Sequence, residues 1–170
     1  WSRGLGDVYK RQIAGIIKFC IETIEDDAVP VLLGYSLGKA QEILSSIQSL
    51  GLPVMLHSSI ARLLPVYEAE GIHFPAHETW DVKNARGHVI ICPPSITGSR
   101  AIASIRKKRV AAVTGWAMDR STIHRMRCDA AFPLSDHAGY DDLLRHVMRV
   151  NPKRVLTLHG FASEFASDLR

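Results

Sequence analysis

The sequence predicts an α/β fold with a mostly parallel sheet, and two observations favour it. Short continuous apolar runs, which are typical of strands buried on both faces, occur at 29–34, 53–57, 88–92 and 109–114. Each of the first three runs is followed by a segment that begins with the signals of a helix. Strands that alternate with helices of this length are typical of units that build one parallel sheet.

The helices are placed by their apolar stripes and by the residues at their ends. The first is predicted over 13–23, immediately before the first strand. The second, over about 39–50, stops at Gly51, the usual place for a left-handed cap. The third, over about 58–70, begins at a serine cap and is closed by Gly71. These boundaries give each strand–helix unit a length that suits a parallel crossover.

Residues 1–12 do not resemble natural protein sequence. They lack an initiator Met and resemble translated adaptor sequence, which often opens gene predictions from short-read metagenomes. We therefore treat residues 1–12 as a non-native leader and exclude them from fold prediction, as a tag is excluded. We expect the natural N-terminus to be missing, so that the chain is the C-terminal part of a longer protein.

Composition bounds the class of protein. At 170 residues and 46% hydrophobic content, the chain is long enough for one domain that buries a core, or for one domain and part of another. No run approaches the roughly 18 apolar residues of a membrane-spanning helix, so no membrane partner is expected. The three cysteines are far apart and odd in number. They favour a reducing, cytoplasmic setting over a disulfide framework or a thiolate zinc site.

Positive charge is concentrated in one part of the chain. Residues 100–127 hold eight lysines and arginines against a single acid, Asp119, whereas residues 13–99 hold five bases and nine acids. A local basic block in an otherwise balanced chain indicates contact with a polyanion such as DNA or RNA. For the run at 105–109 alone, the solvated face of a helix is an equally good interpretation.

Two histidines follow apolar runs near the C-terminus. His137 lies in the motif at 132–140 and His159 in the motif at 155–161, and a helix is predicted between them over 140–150. If 155–158 is a strand, the crossover brings both imidazoles to the same edge of the sheet. That arrangement suits a metal or acid–base site, although hydrogen-bonded structural histidines are the alternative. The other six histidines show no ligand spacing.

The junctions after the apolar runs carry hydroxyl groups and glycines. The run Gly34–Lys39 is one residue short of a nucleotide-binding phosphate loop, and Ala40 stands where Ser or Thr would hold magnesium, so a nucleoside-triphosphate site is unfavoured. Its backbone N–H groups could instead meet a phosphate, or its serine could simply cap a helix. Loops at the carboxyl ends of parallel strands are where ligands bind. The candidate nucleic-acid contacts are Ser36, Gly38, Lys39, Ser95, Thr97, Gly98, Ser99, Arg100 and Trp116.

Trp116 is included because an exposed aromatic ring can stack on a base. An aromatic residue after a strand can also be a packing residue, and that alternative stays open. Hydroxyl groups and positive charge are what a nucleic-acid backbone requires, with no base-reading geometry.

Five motifs occur together in one order. They are Gly34-Tyr-Ser-Leu-Gly-Lys-Ala-Gln-Glu42, Pro93-Pro-Ser-Ile-Thr-Gly-Ser99, Thr114-Gly-Trp-Ala117, Pro133-Leu-Ser-Asp-His-Ala138 and Leu158-His-Gly160. In these motifs the chain resembles the β-CASP group of metallo-β-lactamase-fold nucleases. It is most similar to the bacterial ligase-associated DNA damage response exonucleases, also described as messenger-RNA 3′-end processing factors. The resemblance covers about residues 13–170.

The resemblance implies a fold and roles for two residues. It implies a Rossmann-like β-CASP domain over 13–127 and the returning C-terminal part of a metallo-β-lactamase domain over 128–170. His137 is implied to bind the scissile phosphate and to help as general acid. Asp136 could orient the His137 ring, which we infer from its adjacent position and not from the resemblance. His159 is implied to be a zinc ligand. The implied reaction is two-metal hydrolysis of a phosphodiester bond, in which both zinc ions stabilise the developing charge.

One motif of that family is absent. The His-x-His-x-Asp-His metal motif occurs nowhere in the chain. Because zinc sites use at least three protein ligands, His159 alone cannot hold the metal. We therefore expect the intact parent to be a zinc-dependent nuclease, probable exonuclease by resemblance, and this chain alone to be inactive. By resemblance its partners are DNA or RNA and a ligase or helicase.

Two alternatives remain. The basic block and the junction motifs also suit a non-catalytic nucleic-acid-binding module, which a metal motif in the upstream gene sequence would rule out. A small-molecule metallohydrolase of the same superfamily is the other alternative. Such enzymes lack a cap with the motifs at 34–42 and 93–99, so that interpretation leaves most of the chain unexplained.

Overall fold

The computed structural model describes residues 3–119, 121–135 and 138–169, with side chains from Tyr9 onward. The chain divides into two compact units, 1–136 and 137–170, and each is described by itself. The division falls after the last strand of the sheet, nine residues later than the boundary of the predicted domains. The assignment of 13–127 and 128–170 to two domains stays a prediction.

The first unit is built on a six-stranded parallel sheet. In spatial order the strands run β3-β2-β4-β1-β5-β6, and every neighbouring pair is parallel. The prediction of a Rossmann-like α/β fold is confirmed. The strands are β1 Val29–Leu33, β2 Val54–Leu56, β3 Glu78–Thr79, β4 Val89–Cys92, β5 Lys108–Val113 and β6 Ala130–Phe132.

Helices connect the strands, and short 3₁₀ turns occupy 48–50, 82–84, 94–96 and 115–118. The first helix begins at Arg3, so helical structure extends into the predicted leader, whose non-native origin stays a prediction. No helix of the described residues is both long and apolar enough to cross a membrane. The helices are α1 Arg3–Glu25, α2 Lys39–Ser46, α3 Ser58–Ala61, α4 Leu64–Ala69, α5 Arg100–Ser104, α6 Ser121–Met126, α7 Tyr140–Val150 and α8 Ala162–Asp168.

The sheet has a buried hydrophobic cluster on each face. Along β1, Leu32 points into one cluster while Val31 and Leu33 point into the other, because successive strand residues alternate in direction. Helices α1 to α4 pack on the first face and α5 on the second. Connections leaving β1 and β4 therefore diverge to opposite faces. Ligands of open α/β sheets bind at the carboxyl edge where such connections diverge.

Two predictions about helices are wrong in detail. The helix predicted over 58–70 is two short helices, α3 and α4, and Pro65 lies in the first turn of α4, where its missing N–H costs nothing. The N-cap of α3 is His57 and not the predicted serine, because the His57 ring accepts a hydrogen bond from the Ser59 N–H. The basic run 105–109 is not a helix face, because it covers the turn after α5 and the start of β5.

The second unit consists of α7, a segment without regular structure and α8. Helix α7 lies where it was predicted, and Tyr140 joins the two helices through Asp168 (2.5 Å) and an edge contact with Phe165. The strand predicted at 155–158 is not formed, so the predicted strand–helix–strand unit is wrong. A strand needs a neighbour for its backbone hydrogen bonds, and no described strand pairs with this segment.

Candidate nucleic-acid interface

The junction after β1 is shaped by its glycines. A Cβ on Gly34 would lie 2.7 Å from the Ile43 side chain, so glycine allows α2 to pack closely against the loop. Gly38 has φ 81° and ψ −72°, and the Lys39 N–H donates to the Leu37 carbonyl across it, which makes a tight γ-turn. The Ala40 N–H donates to the Tyr35 carbonyl. Two of the first backbone donors of α2 are therefore already used within the loop.

Lys39 is placed inside the protein. Its side chain is 3% exposed, and its ammonium group pairs with the Glu42 carboxylate at 2.5 Å. A buried lysine has to be paired in this way, because an isolated charge in the interior is costly. The surface that a ligand reaches from solvent therefore does not include the Lys39 ammonium group.

A chain of hydrogen bonds links the carboxyl ends of β1 and β2. The Ser36 hydroxyl lies 2.9 Å from that of Ser59, which lies 2.8 Å from Nδ1 of His57. Burial, and next the positive charge of Arg62, lower the pKa of His57 from 6.5. His57 is not among the predicted site residues, because it shows no ligand spacing in the sequence. Its position directly after a strand and two residues before a serine was the signal available.

The junction after β4 uses its hydroxyl groups locally. Thr97 donates to the Pro94 carbonyl at 2.6 Å, and Ser99 caps α5 by accepting from the Ile102 N–H at 3.3 Å. Ser95, Gly98 and Arg100 are exposed. The predicted contacts of this junction thus divide into two that shape the loop and three that face solvent.

The junction after β5 lies against the segment 133–135, which follows the last strand of the sheet. A Cβ on Gly115 would lie 3.1 Å from the Ser135 hydroxyl, so this glycine permits the segment 133–135 to approach closely. The Thr114 side chain accepts from the Trp116 N–H, and the Trp116 side chain remains 70% exposed. A large aromatic ring held out from the surface by its backbone is suited to stacking.

Thr122 connects the aromatic residue to a cation. Its side chain is fully buried, and its hydroxyl donates to the Trp116 carbonyl at 2.7 Å while accepting from the Arg125 guanidinium at 3.2 Å. The Asp119 carboxylate lies 3.9 Å from the same guanidinium. It also accepts hydrogen bonds from the hydroxyl and the backbone N–H of Ser121, and these bonds lower the pKa of Asp119. Arg125 belongs to the basic block of the sequence, whereas Thr122 was not predicted, because the role of its hydroxyl depends on neighbours in the folded protein.

A cavity of about 350 Å³ lies among these junctions, at the ends of β1, β4 and β5. Its rim carries Tyr35 and Trp116, exposed by 60% and 70%, together with the Arg125 guanidinium. Of the predicted contacts, Trp116 lines the cavity, and Tyr35 and Arg125 are additions from the structure. The arrangement offers aromatic faces and one positive charge to a planar, anionic ligand.

The predicted catalytic pair, Asp136 and His137, lies outside the described residues. In the second unit, His159 is exposed, with φ 65°, and lines a separate cavity of about 350 Å³ with Tyr140 and Phe161. Within 3–119, 121–135 and 138–169, no group of three or more His, Cys, Asp and Glu side chains could hold a metal ion.

The chain is similar to a protein of Opitutus terrae that is named a probable DNA ligase. The two are 59% identical over 155 residues, which cover 91% of this chain. The same residues cover 15% of that protein, so the chain spans about 15% of the length of the relative it matches. No protein-family model matches the chain.

Proposed function

We propose that this chain is the nucleic-acid-binding part of a zinc-dependent nuclease, a probable exonuclease that hydrolyses phosphodiester bonds of DNA or RNA in the cytoplasm. The observation that carries the proposal is the close approach of Gly115 and Ser135. Through it Ser135, which directly precedes the Asp136-His137 motif in sequence, lies beside the loop that carries the exposed Trp116 ring and lines the cavity.

The described residues would supply only part of the zinc site. His159 would supply one ligand, and the remaining ligands would come from a metallo-β-lactamase domain encoded upstream. The Arg125 guanidinium would hold a phosphate, and Trp116 would orient the terminal base. By the resemblance to β-CASP nucleases, His137 would bind the scissile phosphate, and its neighbour in sequence, Asp136, would orient the ring.

A second function is favoured by the comparison. The relative is named a DNA ligase, so this chain could be a non-catalytic DNA-binding part of such an enzyme. Both functions use the same cavity and differ in whether a phosphodiester bond is cleaved. A nuclease that trims ends and a ligase that seals them act on the same substrate. We propose that the two activities are combined in one polypeptide.

The test is to measure zinc content and cleavage of labelled single strands. Two proteins are compared: this chain, and a polypeptide that also carries the sequence encoded upstream of it. We expect both properties in the longer polypeptide and neither in this chain, because three zinc ligands are required. The control is the longer polypeptide with His137→Ala.

Binding of DNA by the longer polypeptide without zinc or cleavage would overturn the nuclease and leave the DNA-binding part of a ligase. Cleavage that persists in His137→Ala would show that the motif has been given the wrong role.

A further inference from the structure

A second cavity adjoins the first on one face of the sheet. It has a volume of about 460 Å³ and shares Pro94, Arg125 and Met126 with the cavity at the carboxyl edge. The two cavities therefore lie side by side along β5, and we call them together the β5 groove. It runs from Val113, at the end of β5, back to Lys108 at its start.

The far part of the β5 groove is basic. Lys108, Arg125 and Arg127 line it, and none of the described residues lining this cavity is acidic. Lys108 is held by the Ile105 carbonyl at 3.0 Å, which fixes the ammonium group near the wall. Arg109 points to the other face, where its guanidinium lies 5.0 Å from the Phe19 ring centre. The basic block of the sequence is thus divided, and only part of it faces the groove.

The near part of the groove is aromatic and is connected to the basic part through Thr122. This buried hydroxyl bonds both the backbone carbonyl of Trp116 and the Arg125 guanidinium, so it connects the backbone that carries the stacking ring to the first cation. From Val113 to Lys108 the strand spans about 17 Å. Since stacked nucleotides rise about 3.4 Å each, that length covers several nucleotides.

We propose that the β5 groove binds a single strand of nucleic acid, with its terminal base on Trp116 and Tyr35 and its following phosphates on Arg125, Lys108 and Arg127. Single-stranded binding sites combine stacking rings with a basic groove in this way, and a duplex offers no free base face to the rings. Thr122 is a positioning residue that sets the distance between base and phosphate. The proposal deepens the proposed function, because it names the form of the substrate and its path.

The test is fluorescence anisotropy of the whole chain with a labelled oligothymidylate, titrated at several salt concentrations. The variant is Lys108→Gln with Arg127→Gln. The matched control is Arg106→Gln with Lys107→Gln, which removes two charges from the same sequence block but does not touch the groove. We expect the groove variant to bind about tenfold more weakly. Its salt slope should fall by about 1.4, which is two single-strand phosphate contacts, while the control changes little.

The positioning role has its own comparison. Thr122→Val should weaken binding severalfold, whereas Thr122→Ser should bind like the wild-type chain, because serine keeps the hydroxyl. Quenching of Trp116 fluorescence by the oligonucleotide should follow the same order. Thermal unfolding of each variant reports whether it is folded. Trp116→Phe should retain binding that Trp116→Ala loses.

Equal affinity and salt slope in the groove variant and its control would overturn the groove, and so would the absence of any binding at about 50 mM salt. Neither result would overturn the proposed nuclease, because that proposal is tested separately by cleavage with the longer polypeptide. Preference for duplex over single strands would also overturn the groove.

Discussion

At the scale of single residues, the loops at the carboxyl edge of the sheet depend on glycines that meet different requirements. Gly34 and Gly115 permit close approach to Ile43 and Ser135, whereas Gly38 adopts a backbone conformation that other residues avoid. Gly98 has neither constraint, since nothing lies within 4 Å of a Cβ built on it. Glycine therefore meets two different requirements within three adjoining loops, and Gly98 meets neither.

Gly38→Ala should lower the free energy of unfolding by about 1–2 kcal/mol, because its φ of 81° lies in the left-handed region. Gly98→Ala is the matched control in the next junction, and we expect it to cause no loss of stability. Urea denaturation of both variants measures the difference. Equal stability of the two would contradict the strain assigned to the turn at Gly38.

At the scale of elements, the cap of α3 couples the fold to pH. His57 Nδ1 accepts from the Ser59 N–H, and a proton on that nitrogen would abolish the bond. Burial and Arg62 lower the pKa of His57 in the folded protein, so folding favours the neutral ring. Stability from this group is therefore complete above the unfolded pKa of about 6.5 and is lost as the pH falls below it.

His57→Asn should remove this pH dependence, because asparagine caps a helix but does not titrate. We expect the wild-type chain to lose more stability than the variant between about pH 7.5 and about pH 5. Urea midpoints at both pH values measure it. Parallel losses in the two proteins would show that His57 does not link α3 to pH.

The sequence predicted elements well where burial alone determines them. Strands β1, β2, β4 and β5 were located within a residue, because a strand buried on both faces has to be continuously apolar. Strand β3, Glu78–Thr79, was missed because its two exposed polar residues carry no such signal. The run 155–158 had the composition of a strand, but pairing also needs a neighbour, which composition does not report.

The position of the candidate residues could be predicted for a related reason. Junctions rich in glycine and hydroxyl groups follow strands, and parallel strands bring their carboxyl ends to one edge, where Trp116 lies. Binding of nucleic acid by Trp116 stays a prediction. Which hydroxyl shapes a loop and which meets a ligand depends on contacts distant in sequence. Ser36 with Ser59 and Thr122 with Trp116 are contacts of that kind.

At the scale of the whole molecule, the two units differ in how they are stabilised. The first has a hydrophobic cluster on each face of its sheet, whereas α7 and α8 of the second have no buried residues. Leu156 and Leu158, on either side of Thr157, are 85% and 80% exposed. These two residues precede His159 in sequence, and exposed apolar side chains of this kind are typical of a segment that packs against other protein.

His159→Ala and His137→Ala should have different effects in the longer polypeptide proposed above. If His159 is a zinc ligand, its loss should lower both zinc content and cleavage, because the zinc site is then left with one ligand fewer. If His137 acts on the phosphate, its loss should leave zinc in place and abolish turnover, which metal analysis and a cleavage assay on the same samples distinguish. The matched control is His73→Ala, an exposed histidine distant in sequence from both motifs, which should change neither. Equal loss of zinc in the His159 and His137 variants would mean that both histidines are ligands, and the general acid would then have to be sought elsewhere in the protein.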